Sequence, residues 1–211
     1  MKDKTPNFDE ENIVLPEKGD LLFTSGDDWW HNACLNYMLD DSEFYVDGYK
    51  MAADVLVAQI KKKHQDQDFL IFPIVFLYRQ YLELRLKQLI SSGNKLQDKK
   101  MDSPKGHDLN NLWNLCRPIL ANLEPNTPPQ YLEAIDEIID QFRTIDPTSQ
   151  AFRYSILSNG KKAISSDVKY VNLRQFSEII QKVSNYFESA TMMISVYLQN
   201  KHEMELDYNV D

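Results

Sequence analysis

Arg79, Glu83 and Lys87 stand four residues apart in a stretch that is otherwise apolar. At helical spacing they share one face, and a glutamate four residues ahead of a lysine is well oriented for an ion pair. Two readings follow. The three are either the one solvent-facing strip of a mostly buried helix, or a partly buried polar seam. In a seam every charge needs a partner, because unpaired burial is costly, and perturbed ionisable groups gather at functional sites. His107, between Gly106 and Asp108, stands at a predicted helix start. Helix N-termini attract anions and lower the basicity of a nearby histidine. His107 is therefore a candidate general acid–base or phosphate contact; equally, it anchors the preceding loop while Asp108 caps the helix. Arg153 and Tyr154 follow the turn-forming run Asp146-Pro147-Thr148-Ser149. An arginine flanked by aromatics clamps a phosphate or carboxylate through its fork, or ties its loop down by pairing with Asp146. Arg79, Glu83 and His107 are thus the candidate catalytic residues, and Arg153, Lys87 and Tyr154 the candidate anion-binding ones.

Other constellations are weaker. His31 and Cys34 are three apart on a predicted helix, but a tetrahedral metal needs further ligands and no second His/Cys cluster exists, so no metal site is expected. Glu133, Asp136, Glu137 and Asp140 read as a solvated acidic face, because the apolar residues between them claim the inward side. The chain has no Gly-x-Ser-x-Gly elbow, no Gly-rich phosphate loop, no Gly-x-Gly-x-x-Gly and no His-Glu-x-x-His. Neither a nucleotide nor any other cofactor is expected.

These residues must be positioned by helices. Six glycines, and prolines that fall mostly between periodic segments, disfavour a sandwich or barrel. Apolar periodicity predicts helices over about 27–39, 42–64 and 69–90, the last apolar on nearly all sides and so central to a bundle. In that central helix Pro73 suits the first turn, and Ser91-Ser92-Gly93-Asn94 ends it. Asp108 then caps a fourth helix that Pro118 should kink or shorten. A fifth spans about 129–143. Residues 146–167 carry turn chemistry and read as an ordered loop with room for a short hairpin, 151–156 against 163–165. The last helix, about 172–200, alternates spacings of three and four from Leu173 through Phe176, Ile180, Val183, Phe187, Ala190 and Ile194 to Tyr197. At about 40 Å it must line the whole bundle or supply a dimer surface. The expected architecture is an all-α, up-and-down bundle of about five to six helices with a long C-terminal helix. It would occupy 20–201, with a flexible tail over 1–19 and a frayed acidic tail over 202–211.

The 211 residues are 43% hydrophobic and 26% charged, ordinary for a globular chain. Cys34 and Cys116 lie far apart, and no run approaches the roughly 20 apolar residues that span a bilayer. A cytoplasmic protein without membrane association is expected. The net charge of −9 argues against a general nucleic-acid coat protein, whose affinity comes from neutralising phosphates, but leaves room for a local basic site.

Three stretches carry a resemblance: YVDGYKMAADVLV (45–57), FPIVFLYRQYLELRLKQLI (72–90) followed by GHDLNNLW (106–113), and DPTSQAFRYS (146–155). Together they resemble bacterial proteins of the HEPN-like superfamily, over about residues 29–198, with RQYLELRLK plus GHDL the more specific pair. The resemblance implies a helical bundle, a homodimer, and a setting in bacterial defence, toxin–antitoxin systems or RNA processing. It makes Arg153, Lys87 and Tyr154 candidate RNA contacts. Active members are metal-independent endoribonucleases that use an Arg-x4-6-His motif, paired across the dimer. No histidine here lies five to seven residues after an arginine; after Arg79 those positions hold Leu84, Arg85 and Leu86. The expectation is therefore a non-catalytic module that binds RNA or a partner protein. The alternatives are an atypical ribonuclease or a structural dimerisation unit.

Overall fold

The computed structural model describes residues 14–35, 42–99 and 104–208. It divides into two units, residues 1–39 and 40–211.

In the first unit, the predicted helix over 27–39 is absent from its described part. A single 3-10 turn, Trp29–His31, stands there, and the expected residues 36–39 lie outside the described ones. Trp29 and Trp30 stack on one another at 3.9 Å and remain exposed rather than facing a core. The Gly26 backbone bonds Asn32 in both directions and so closes a tight loop in place of helical turns.

The second unit is an all-α bundle of five helices: α1 (Ser42–Lys63), α2 (Gln67–Leu96), α3 (Leu109–Leu123), α4 (Gln130–Ile145) and α5 (Leu173–Tyr208). A three-residue connection, with His64 and Asp66 in the left-handed region, folds α2 back along α1. Helix α2 touches α1, α3 and α5, and α4 packs on α3. The central place of α2 follows from its sequence. Its buried residues reach round more than half of the helix, from Tyr81 through Tyr78, Leu82 and Leu86 to Ile90 and Glu83.

Helix α2 starts two residues before the predicted boundary, so Pro73 sits in its second turn, and it runs through Ser91–Asn94 rather than stopping there. Gly93 lies inside the helix despite glycine's poor helix propensity, at the point where α3 packs closely. A Cβ on Gly93 would lie 2.3 Å from Ile119 Cγ2, so the missing side chain is what lets α3 approach. Asp108 caps α3 as predicted, accepting the Asn110 and Asn111 N–H groups at 2.8 and 3.2 Å. Helix α3 continues past Pro118 to Leu123. Along α5, Leu173, Ile180, Val183, Phe187, Ala190 and Ile194 are buried, as the periodicity requires. The helix does not fray at His202 but reaches Tyr208, and Lys201 ties it to the end of α2 through Asp98 Oδ1 at 2.5 Å. Between α4 and α5 the hairpin reduces to an isolated bridge, Ile156 to Lys162, and no strand is present among the described residues. No helix among those residues is long and apolar enough to cross a membrane.

Candidate functional site

Helix α2 presents Arg79 and Glu83 one turn apart on the face where the α2–α3 loop and the turn after α4 meet it. Neither reaches solvent: Arg79 is 2% exposed and Glu83 1%. The strip is therefore a buried seam and not a solvent-facing face. Arg79 Nη1 donates to Ser149 Oγ at 2.6 Å, and Nη2 donates to the His107 carbonyl at 2.9 Å. Its guanidinium also faces two carboxylates, Asp146 Oδ2 at 3.4 Å from Nε and Glu83 Oε2 at 3.6 Å from Nη1. Burial pulls the Arg79 pKa below the usual arginine value, against the opposing pull of Asp146 and Glu83. One side chain thus holds two loops to the central helix.

Glu83 serves a second pair of partners. Its Oε1 accepts from Lys87 Nζ at 2.8 Å and lies 2.7 Å from His107 Nδ1. With the carboxylate accepting, Nδ1 is the donor, and Nε2 is the other edge of an imidazole that is 76% exposed. Glu83 Oε2 is buried and has no hydrogen-bond partner.

The turn after α4 is built by Asp146. Its Oδ1 accepts the backbone N–H of Gln150 and Ala151 at 2.8 and 2.9 Å. Ser149 then takes a left-handed φ of 60°, which directs its carbonyl and hydroxyl to two different arginines. Arg153 Nε donates to that carbonyl at 2.6 Å. The expected alternative, Arg153 paired with Asp146, does not occur; Asp146 faces Arg79 instead. The Arg153 guanidinium lies over the rings of Phe76 and Tyr154, 5.7 and 5.6 Å from their centroids. Among the described residues no carboxylate pairs with it, and its two terminal nitrogens make no hydrogen bond. Arg153 and Tyr154 are both exposed.

Comparisons with family models, with curated proteins and with solved structures return no match.

The cluster thus joins Arg79, Glu83, Lys87 and His107 directly, and Ser149 links Arg153 to it. Sequence reasoning did not single out Ser149, Phe76 or the His107 carbonyl. The Asp-Pro-Thr-Ser run signalled the turn, but a left-handed serine leaves no mark of its own. A second buried arginine was also missed. Arg85, 2% exposed, reaches from α2 to Glu43 at 2.8 Å and Asp47 at 3.3 Å on α1. Burial lowers its pKa, but the hydrogen bond and charge of Glu43 outweigh that and leave it raised. Of the acidic positions on α4, Glu133, Glu137 and Asp140 are exposed, while Asp136 turns to α3 and accepts from Trp113 and Arg117. Among the described residues no group of three or more His, Cys, Asp or Glu side chains converges in a way that could hold a metal ion.

Proposed function

We propose that this chain is a HEPN-like helical module that binds single-stranded RNA without cutting it, in a bacterial defence or toxin–antitoxin setting. The observation that carries this reading is Arg153. It is a solvent-facing guanidinium, stacked by two rings and free of any acidic partner among the described residues. Such a fork takes a phosphate bidentately, and the exposed Tyr154 ring beside it offers a surface for a base to stack on. Lys87 borders the same cluster and extends it along a strand. The reading is local and consistent with the net charge of −9, since it asks for a few phosphate contacts only. The same module would dimerise through α5, whose Met192, Val196 and Tyr197 are exposed.

The enclosure of Arg79 supports binding over cleavage. Its donors already serve Ser149 and the His107 carbonyl, so it could not meet a scissile phosphate without opening both loops. One observation favours the ribonuclease reading: Glu83 orients His107 as carboxylates orient general bases, with Nε2 outward. An electrophoretic assay separates the two. Wild type and His107→Ala are incubated with end-labelled single-stranded RNA in the presence of a chelator. The proposal expects a slower, full-length band with both proteins. Shortened RNA with wild type and not with His107→Ala would overturn it in favour of the ribonuclease, and RNA neither shifted nor shortened would overturn both.

A further inference from the structure

Behind the Arg153 turn lies an apolar cavity of about 190 Å³, between α2, α4, α5 and the segment that runs from 152 to 171. Three rings wall it, Phe142, Phe152 and Phe176, with Val75 at the base and Val168 on the loop side. Phe142 and Phe176 meet edge to face, 6.0 Å between centroids and 76° between planes. No charged side chain lines it, and its one polar side chain is the exposed Gln141, whose Nε2 donates to the Glu137 carbonyl at 3.2 Å and whose Oε1 is left as an acceptor.

These features define an occupant. Water is poorly held, because a water molecule needs two to four polar partners and the lining side chains supply only Gln141. An apolar cavity of about 150 Å³ stays dry and takes a benzene-sized molecule. This one is larger and partly open where Gln141 and Val171 are exposed, so it fits a ring with a few more atoms. Aromatic rings prefer edge-to-face or offset neighbours, and a flat guest among three phenylalanines adds such contacts. A charged guest would lose its hydration with no counter-charge on the lining. We propose that this cavity is a binding site for a small uncharged aromatic molecule, roughly the size of indole, with one polar atom directed to Gln141. The site is independent of the RNA reading: the guest is neutral and none of the proposed RNA contacts lines the cavity.

The test titrates the full chain with toluene, indole and benzoate, read by ligand-observed NMR and by the shift in melting temperature. Saturable binding of indole and toluene below 1 mM, with benzoate at least tenfold weaker, is expected. Val168→Trp, which fills the cavity from the loop without altering any helix, should lose at least tenfold in affinity for both neutral ligands. Gln141→Leu should weaken indole about fivefold and leave toluene unchanged, a comparison that stands even where Val168→Trp folds poorly. Three results would overturn the proposal. They are no saturable binding by wild type, benzoate binding as tightly as toluene, or unchanged indole affinity in Gln141→Leu together with unchanged affinity in folded Val168→Trp.

Discussion

Replacing Arg79 by methionine keeps most of the volume of the arginine stem and removes every donor. Four contacts go with it: Ser149 Oγ at 2.6 Å, the His107 carbonyl at 2.9 Å, Asp146 at 3.4 Å and Glu83 at 3.6 Å. Breaking a buried ion pair by removing one partner costs about 3–5 kcal/mol, chiefly because the remaining charge stays buried. Here the lower end applies. Glu83 keeps Lys87 and His107, and Asp146 keeps two backbone N–H donors. A loss of about 3 kcal/mol corresponds to a melting temperature lowered by roughly 6–12 °C in a domain of this size. Urea unfolding followed by circular dichroism measures it, with an unchanged m-value showing that the same surface still unfolds. The double variant Arg79→Met/Glu83→Leu should recover at least about 1 kcal/mol relative to the sum of the two single changes, since it removes a stranded charge together with its partner. Arg79→Met costing under about 1 kcal/mol would refute the reasoning, and so would simple additivity in the double variant.

Two further outcomes concern the core. Gly93→Ala should destabilise by about 1–3 kcal/mol in the same urea assay, because its Cβ meets Ile119 at 2.3 Å; in an open helix the same change would stabilise by up to about 1 kcal/mol. Stability should fall above pH 9. Burial pushes the Cys116 thiol from 9.0 up to about 12, and burial with Asp54 raises Tyr78 above its ordinary 10.0. In both, the folded state holds a proton that the unfolded state releases. The contribution is full below the unfolded pKa and is lost as pH rises, at about 1.4 kcal/mol per pH unit per group. A denaturation series from pH 8 to 11 checks this, and Tyr78→Phe should flatten the slope above pH 10.

The sequence carried the bundle and half of the seam. Four-residue spacing put Arg79, Glu83 and Lys87 on one face, because that is a property of one helix. It could not decide burial, which depends on segments 28 and 70 residues away, the His107 loop and the Ser149 turn. Gly93 was misread as a helix end for a similar reason. Glycine serves both for stopping and for close approach, and only Ile119 on α3 distinguishes the two. Trp29, Trp30 and Cys34 imitate a helical stripe over too few residues, and the chain there makes a 3-10 turn. At the other end, apolar periodicity fades after Leu198, but lysine, glutamate and methionine are good helix formers, so α5 continues where its buried face stops.

The central claim is that Arg153 receives the phosphate of a bound single strand, and the salt dependence of binding tests it most directly. Anisotropy of a labelled single-stranded RNA is measured against wild type and Arg153→Ala from low to moderate salt. With two or three phosphates neutralised, the slope of log K on log salt should be about −1.4 to −2.1 for wild type. In Arg153→Ala it should be shallower by about 0.7, with affinity at least tenfold weaker at the lowest salt. Equal slopes and equal affinities in the two proteins would contradict the account.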